Sequence, residues 1–359
     1  MGKLITDMEQ VTPDWLTEVL REQGRLDRGK VVAVEKSPQP TFTSIVSHLK
    51  MTYSDDAPSS APTRLFLKIS DPDFRSNIYV SHKKEVDFYN IIAPAMTDPP
   101  FPRCYDALYS PETDQAHVLL EDLSETYLQT ELSPLPPLVS HCEQAIDCLA
   151  RVHAFWWEDP RLGKDIGALM DVQSFIQAFG MWLPGFLDFL GDRLFPHEHK
   201  LYERAVASLP GLWERHLQHR FAEGRGLTLI HMDLHFYNFL YPSDPTKDKP
   251  RIVDWESWSV YVGPTDLAYA IAYSWYPRRR RVLEKDLVKR YHDGLLKHGV
   301  EGYDWSDCWD DYRLAVFVNL FIPVVRWAMF DESRTGWWWN ELMRALLAFE
   351  DLDCAELLD

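Results

Sequence analysis

The feature that most constrains this chain is a polar loop held between two short apolar runs, within residues 227–256. The first run covers residues 227–230, and the second ends at Asp254. Between them, the stretch HMDLHFYN places two histidines, an aspartate and an asparagine within eight residues. Short apolar runs bounded by polar residues are typical of buried strands, and a loop that leaves packed strands holds its side chains on a rigid base. The sequence therefore predicts a functional loop anchored in a core.

The spacing of three residues narrows the chemistry of this loop. Asn238 follows Asp233 by five residues, and Asp254 follows Asn238 by sixteen. In phosphoryl transfer, one Asp accepts the proton of the attacking hydroxyl group, while an Asn and a second Asp bind Mg²⁺ against the nucleotide phosphates. The residue types and their order fit this chemistry, with Asp233 as the base and with Asn238 and Asp254 as metal ligands.

Two other interpretations of the loop stay open. Asp and Asn commonly cap and pin turns, so His231, Asp233 and Asn238 could have a purely structural role. His231, Asp233 and His235 also alternate like the ligands of a Zn²⁺ site, which would favour a metal-dependent hydrolase.

A lysine in an apolar strand favours phosphoryl transfer. Residues 65–69 are apolar except for Lys68, and burying an unpaired ammonium group costs several kcal/mol. The next predicted helix, at about 75–95, offers Glu85 as a partner. Such a Lys–Glu pair orients the α- and β-phosphates in kinases, whereas a zinc hydrolase has no use for it. The alternative is an edge-strand lysine whose ammonium group extends into solvent.

At these residues the chain resembles the aminoglycoside phosphotransferase and choline kinase superfamily, and in particular its ecdysteroid-kinase-like branch. Met232 departs from the family pattern, which usually has Gly at this position. The resemblance is strongest over residues 227–330 and is traceable back towards residue 30. The matching positions are His231, Asp233, His235, Asn238, the segment 252–256, and Gly263, Pro264, Asp266, Leu267 and Ala268.

The resemblance implies an α+β, two-lobed, protein-kinase-like fold, with an antiparallel sheet and a helix in the N-lobe and a larger helical C-lobe. We expect residues 1–122 to form the nucleotide-binding lobe and residues 123–359 to carry the catalytic loop and the acceptor pocket. The implied cofactors are ATP and Mg²⁺. The implied nucleotide-binding residues are Lys68, Glu85, Ser44 in a glycine-free hairpin, and the hinge backbone of Glu121 and Leu123; the implied supporting residues are His231, His235 and Asp266.

The hydrophobic periodicity is consistent with this fold. We expect five strands, at 30–36, 44–53, 63–70, 104–109 and 117–123. A helix begins after the Thr12 cap, and further helices are predicted near 75–95, 139–158, 171–190, 199–221, 266–274, 283–298, 307–329 and 337–349.

Composition limits the possible partners. The chain has 37 basic and 55 acidic residues and a net charge of −18, which disfavours nucleic acid and anionic membranes as partners. No uninterrupted apolar run has the length of a spanning helix, and the first residues lack a signal-peptide core, so we expect a cytoplasmic protein. The five cysteines include no CxxC pair, which gives no sign of a disulfide framework or a zinc knuckle. The oligomeric state is left open.

The function that these observations favour is ATP- and Mg²⁺-dependent phosphorylation of a hydroxyl group on a small molecule. A kinase-fold binding protein without turnover is the alternative, which the presence of every expected site residue disfavours. For the acceptor, we expect the helical lobe to carry most of the 14 tryptophans, and several of them lie near acids in the sequence. The tryptophans include Trp156, Trp157, Trp255, Trp258, Trp305, Trp309 and those at 337–339, and the acids are Asp304, Asp307, Asp310, Asp311 and Glu332. Aromatic faces beside carboxylates suit an amine or a quaternary ammonium group. A bulky hydroxylated apolar molecule and a simple core role for the tryptophans are the competing interpretations.

Overall fold

The computed structural model describes residues 2–74, 81–129, 135–329 and 335–358. The chain divides into two compact units. The first unit comprises Met1–Thr130 and Asn238–Trp258, and the second comprises Glu131–Tyr237 and Ser259–Asp359. The boundary between the units therefore falls within the polar loop, because Asp233 belongs to the second unit and Asn238 to the first. The assignment of residues 1–122 and 123–359 to two functional lobes stays a prediction.

The first unit contains the predicted five-stranded sheet. Its antiparallel strands follow the order β1-β2-β3-β5-β4, with β1 at Val31–Pro40, β2 at Ser44–Tyr53, β3 at Arg64–Ser70, β4 at Cys104–Ser110 and β5 at Gln115–Glu121. Alternate side chains of β3 (Leu65, Leu67 and Ile69) are buried. They form one core with helix α1 (Pro13–Glu22). This helix begins as predicted, because the Thr12 side chain accepts a hydrogen bond from the Trp15 amide.

The helix that follows β3 carries Glu85. Helix α2 covers His82–Asp87 and continues through a π turn at Phe88–Ile92, while residues 75–80 of the predicted helix lie outside the described residues. In the same unit, Phe88 stacks on Trp255 with ring centroids 4.1 Å apart and planes 8° apart. This stacking fixes the helix against the segment that carries Asp254.

The two apolar runs beside the polar loop both form strands, but they do not pair with each other. Strand β7 (Thr228–Ile230) pairs with β10 (Ser259–Tyr261) in the second unit. Strand β9 (Arg251–Ile252) joins β8 (Phe239–Pro242) and β6 (Tyr127–Gln129) in a three-stranded sheet of the first unit. The loop thus leaves one small sheet and enters another.

The second unit is mainly helical. The predicted helix at 266–274 corresponds to a short helix at Pro264–Leu267 followed by a π turn at Ala268–Tyr273. The helix expected from 283 already begins at Pro277, and a 3₁₀ turn at Asn319–Phe321 divides the helix expected over 307–329. Its helices are α3 (Val139–Phe155), α4 (Val172–Leu190), α5 (Pro196–Leu212), α6 (Gln218–Glu223), α7 (Pro264–Leu267), α8 (Pro277–Lys297), α9 (Trp305–Val318), α10 (Ile322–Met329) and α11 (Thr335–Asp351).

One stretch of the second unit, Trp305–Met329, is long and apolar enough by length and composition to cross a membrane. Of its most apolar window, 61% is buried inside the protein. The core helices of globular proteins have the same property. All five cysteines are free thiols, and four of them are buried.

Candidate active site

In the first unit, the Lys68 ammonium group lies among three carboxylates. Its Nζ atom is 2.6 Å from Asp254 Oδ1, 2.8 Å from Glu85 Oε2 and 3.1 Å from Glu256 Oε2. The lysine is supplied by β3 and Glu85 by α2, while the two remaining acids follow β9. The predicted pair of Lys68 and Glu85 is therefore present, and two further acids share the same cation.

Burial and neighbouring groups of opposite charge shift the pKa values of Lys68 and Glu256 in opposite directions. Burial alone would lower the pKa of Lys68, but the charges of Asp254, Glu256 and Glu85 raise it well above its usual value. Burial, with Asp254 and Glu85 as like-charged neighbours, raises the pKa of Glu256 to about 7 despite the opposing effect of Lys68. Three carboxylates around one ammonium group leave an excess of negative charge.

The glycine-free hairpin between β1 and β2 reaches the same acids. Thr43 Oγ1 donates to Glu256, with distances of 3.1 and 3.3 Å to the two carboxylate oxygens. The predicted phosphate contact Ser44 is buried, and its hydroxyl oxygen lies 3.2 Å from that of Thr43. Sequence reasoning did not identify Thr43 as part of this cluster, and gave Glu256 no role although it lies in the 252–256 motif.

The predicted hinge, Glu121 to Leu123, lies at the end of β5. The amide of Glu121 donates to the Arg103 carbonyl at 2.8 Å, and the Leu123 carbonyl accepts from the amides of Thr126 and Tyr127 at 3.1 and 2.9 Å. Between them, Asp122 Oδ2 lies 2.9 Å from His48 Nδ1 and 3.2 Å from Arg64 Nε. The backbone of the segment is thus well fixed, and its role in binding adenine stays a prediction.

The two predicted metal ligands lie on neighbouring backbone segments of the first unit. The carbonyl of Asn238 accepts a hydrogen bond from the Val253 amide at 3.0 Å, directly before Asp254. Asn238 is buried, whereas 38% of the Asp254 side chain is exposed. Asp254 has φ of 69°, an uncommon conformation for a residue other than Gly that is tolerated best by Asp and Asn.

Carboxylates of the first unit also form a candidate cation site. Among the described residues, the group of His, Cys, Asp and Glu side chains close enough to share a metal ion consists of Glu85, Asp254 and Glu256, with ligand atoms within 4.8 Å of one another. The group does not include His231, Asp233 and His235, the ligands that a zinc hydrolase would need.

In the second unit, Asp266 holds the backbone of the polar loop. Its Oδ2 accepts from the His231 amide at 2.7 Å, and its Oδ1 accepts from the Met232 amide at 3.0 Å. Met232 has φ of 71°, a left-handed conformation that favours glycine. Met232 therefore adopts a backbone conformation that a Gly would adopt without strain. On the other side of Asp266, His153 Nε2 lies at 3.3 Å and completes a buried support.

The predicted base, Asp233, is half-buried and strongly hydrogen-bonded. The Tyr269 hydroxyl group donates to Asp233 Oδ1 at 2.6 Å, and His235 Nε2 lies 3.3 Å from the same oxygen. Partial burial alone would raise the pKa of Asp233, but the interactions with His235, Tyr269 and Arg326 lower it far below its usual value. The carboxylate is therefore ionised throughout the neutral pH range.

A chain of polar contacts continues behind Tyr269. Arg326 Nη2 donates to the Tyr269 hydroxyl oxygen at 2.8 Å, and its Nη1 lies 2.9 Å from Glu341 Oε1. Glu341 Oε2 accepts from the Tyr273 hydroxyl group at 2.7 Å. Sequence reasoning missed these four residues, because only Tyr269 lies beside a recognised motif and Arg326 follows it by 57 residues.

Two of the tryptophans considered for the acceptor site, Trp305 and Trp309, each lie beneath a lysine of the chain itself. Lys289 Nζ lies 5.9 Å from the Trp305 ring centroid, and Lys285 Nζ lies 5.8 Å from that of Trp309. Asp311 pairs with Arg220 at 2.6 Å, while Glu332 lies outside the described residues. This arrangement disfavours Trp305 and Trp309 as a cage for a cationic acceptor.

One protein family matches this chain. The family described as "Phosphotransferase enzyme family" matches residues 55–306, which is more than half of the chain. No curated protein gives a significant sequence match.

Several solved structures share the fold. One is a protein of Ralstonia eutropha JMP134 assigned as an aminoglycoside phosphotransferase: it is 15% identical, the match covers 95% of this chain and 98% of that one, and the TM-score is 0.58. A microcompartment-associated aminopropanol kinase is 12% identical over 94% and 96% of the two chains, with a TM-score of 0.56. A choline/ethanolamine kinase family protein of Mesorhizobium loti is 13% identical over 90% and 91%, with a TM-score of 0.52.

Proposed function

Because the chain belongs to the phosphotransferase enzyme family and has a kinase-like α+β fold, we propose that it transfers the γ-phosphoryl group of ATP to a hydroxyl group of a small molecule. The observation that carries the proposal is the simultaneous contact of Lys68 with Glu85 and Asp254, at 2.8 and 2.6 Å. A phosphate-binding lysine, its orienting glutamate and a metal-binding aspartate are the parts that phosphoryl transfer requires around the nucleotide. A cytoplasmic location, where ATP is available, is part of this proposal.

The nucleotide contacts follow from the first unit. Lys68 binds the α- and β-phosphates, and Glu85 keeps its ammonium group in place. Ser44 contributes a hydroxyl group from the hairpin, and the adenine ring binds the backbone of Glu121 and Leu123. These contacts position the nucleotide. Positioning, rather than covalent chemistry, is the main contribution of a protein to this reaction.

A divalent cation fits the acids of the first unit. Mg²⁺ prefers oxygen ligands, and the carboxylates around Lys68 carry more negative charge than the ammonium group neutralises. In our proposal Asp254 and Asn238 hold the ion, and Glu256 lies close enough to Asp254 to contribute. When bound, Mg²⁺ neutralises charge on the β- and γ-phosphates. Lys68 then exchanges part of its contact with Asp254 for contact with phosphate.

Asp233 acts as the base in this proposal. Its carboxylate accepts the proton of the acceptor hydroxyl group as the oxygen attacks phosphorus. Because its pKa lies far below neutrality, it accepts the proton late, when the hydroxyl group has become strongly acidic by bonding to phosphorus. His231 and His235 support the loop, and Asp266 fixes its backbone.

The acceptor is the least constrained part of the proposal. The lysines over Trp305 and Trp309 favour a binding site for it elsewhere in the chain. A panel of acceptors resolves this directly: choline, ethanolamine, 1-amino-2-propanol and kanamycin as cationic alcohols, against neutral polyhydroxylated steroids. Phosphorylation of neutral members alone would rule out the cationic acceptor.

The central test is Asp233→Asn with radiolabelled ATP and this panel. We expect transfer to fall by about a thousandfold or more, since a positioned base contributes about 10²–10⁴-fold, with nucleotide affinity nearly unchanged. Asp192→Asn is the matched control, because Asp192 is an exposed aspartate of the second unit. Transfer within a few fold of the parent protein would disprove the assignment of Asp233.

The alternatives predict different results. If the chain is a binding protein without turnover, the unmutated protein itself would bind MgATP and leave every alcohol of the panel unmodified. A metal-dependent hydrolase would keep its Zn²⁺ during treatment with a chelator and would not need Mg²⁺ for activity. In contrast, a kinase loses activity on chelation and regains it when Mg²⁺ is added.

A further inference from the structure

We propose that Tyr269 and Arg326 form a positioning pair that fixes the orientation of the Asp233 carboxylate. The inference rests on the proposed role of Asp233 as the base. Neither residue belongs to the set of groups that the sequence suggested for catalysis. Both act through Asp233 and contact neither phosphate nor metal in this proposal.

The first step of the argument concerns one proton. A tyrosine hydroxyl group has a single proton to donate. Arg326 Nη2 has only protons to offer, so at 2.8 Å it must donate to the Tyr269 oxygen. The Tyr269 proton is therefore directed to Asp233 Oδ1, at 2.6 Å. A hydrogen bond of this length to a charged acceptor belongs to the stronger class.

The second step concerns the rotation of the carboxylate. The terminal torsion of an aspartate is broad and only weakly restricted by its own stereochemistry. Here two side chains, Tyr269 at 2.6 Å and His235 at 3.3 Å, converge on the same oxygen. Two directions towards one oxygen fix the plane of the carboxylate. A base that accepts a proton during an in-line displacement needs such an orientation.

The third step is that the pair is itself fixed. Glu341 lies 2.9 Å from Arg326 Nη1 and accepts from Tyr273 at 2.7 Å. The rings of Tyr269 and Tyr273 stack with centroids 5.2 Å apart. Tyr269, Tyr273 and Glu341 are all buried. Because rigid support from surrounding side chains is what holds a catalytic group within tolerance, the whole row of contacts serves the position of one carboxylate.

The test is Tyr269→Phe, which keeps the ring and its stacking and removes the hydroxyl group. We expect kcat to fall by about tenfold or more, with the KM for MgATP unchanged. Tyr202→Phe is the matched control: Tyr202 is a fully buried tyrosine of the second unit whose hydroxyl group donates to the Leu320 carbonyl at 2.9 Å. That change removes a buried hydroxyl group without touching the pair, so we expect kcat and KM to stay within twofold of the parent values.

Rates are measured with the best alcohol of the panel or, if none is phosphorylated, as basal MgATP hydrolysis, in which water replaces the alcohol. If Tyr269→Phe does not fold, Arg326→Lys carries the test, because it retains the charge and loses the planar guanidinium geometry. A kcat within twofold of the parent value, or a higher one, would overturn the inference for either variant.

Failure of the inference is distinguishable from failure of the proposed function. If Asp233→Asn abolishes transfer while Tyr269→Phe leaves kcat unchanged, the base assignment stands and the positioning pair is wrong. If Asp233→Asn retains transfer, the base assignment itself is wrong. When both hold, adding Tyr269→Phe to Asp233→Asn gives no further loss, because the carboxylate that the tyrosine orients is gone.

Discussion

The ammonium group of Lys68 lies 2.6 Å from Asp254 Oδ1, so the proposed phosphate-binding cation and the proposed metal ligand are directly paired. The sequence indicated Glu85 as the partner of Lys68, and that contact is also present at 2.8 Å. The additional pairing means that Lys68 is held in place from both α2 and the segment after β9. Changes at either acid are therefore expected to act through the same lysine.

We predict that Lys68 and Glu85 behave as one unit. Lys68→Met and Glu85→Gln should each lower kcat/KM for ATP by about a hundredfold, and the double change should cost little more than either alone. A double-mutant cycle on kcat/KM measures this. Lys83→Met on the same helix is the control, because Lys83 is largely exposed and pairs along its own helix with Asp87. Additive losses would contradict the prediction.

A second prediction concerns Glu256 and pH. Its pKa is raised from 4.5 to about 7 in the folded protein, so between these values the folded state binds more protons than the unfolded state. Stability conferred by the protonated form is therefore lost as pH rises through this window. Glu256→Gln can still accept from Thr43 and cannot ionise. We expect it to raise Tm by about 2 °C or more at pH 8 in EDTA, with little effect at pH 5.

Thermal denaturation of both proteins across pH measures this difference. Glu35→Gln is the control, since Glu35 is an exposed acid of the first unit in a loose pair with Lys50 at 3.8 Å. Mg²⁺ should reduce the advantage of the Gln variant at pH 8, because the cation neutralises the same excess charge. A Gln variant that is less stable at pH 8 in EDTA would show that the carboxylate charge stabilises the cluster.

A third prediction concerns the left-handed backbone of Met232. Met232→Gly removes the steric conflict of a side chain at φ of 71°, and we expect the free energy of unfolding to rise by up to about 1 kcal/mol, net of the added chain entropy. Chemical denaturation measures this, and kcat should stay within a few fold. Asp98→Gly, at another non-glycine position with φ of 52°, is the matched control outside the loop. A strongly destabilised Gly variant would mean that the Met232 side chain contributes more than its strain costs.

A fourth prediction concerns the contact of Gly263 with Tyr291. A Cβ atom at Gly263 would overlap with the Tyr291 hydroxyl oxygen and lie 3.0 Å from His153 Nδ1. We expect Gly263→Ala to lower the free energy of unfolding by about 1–3 kcal/mol, and Tyr291→Phe to recover part of that loss. Gly180→Ala within α4 is the control, since a Cβ there meets nothing within 4 Å and alanine favours the helix. Purely additive effects of the two changes would contradict the predicted overlap.

The sheet of the first unit was predictable because its strands are long. Apolar side chains alternate along strand β3. This alternation predicted both the strand and the position of Lys68 within it. The short strands were not resolved by the same reasoning. Strands of two or three residues, such as β9 and β7, have no measurable period, so the sequence indicated that both runs were strands but not that they join different sheets.

The candidate site divides in the same way. Residues that cluster in sequence, such as His231, Asp233 and Asn238, could be proposed from their spacing, and their roles stay predictions. Groups that meet through tertiary structure were not: Arg326 reaches Tyr269 from α10, and Thr43 reaches Glu256 across 213 positions. Arg326 has no local pattern that separates it from an ordinary core residue. Thr43 lies in the hairpin that was expected to meet the phosphates, but nothing in the local sequence points from it to Glu256.

Under the proposed function, the hydrogen bond from Thr43 to Glu256 affects which form of the nucleotide can bind. Thr43 and Lys68 both bind the Glu256 carboxylate, so a phosphate that binds to these donors exchanges with an anion that the protein already provides. The affinity for the nucleotide then depends on the difference in free energy between two similar ionic contacts. The triphosphate without a bound metal ion is disfavoured most, because its full negative charge would lie beside Asp254 and Glu85. The acids around Lys68 would thus act as a filter that admits the nucleotide only as its metal complex.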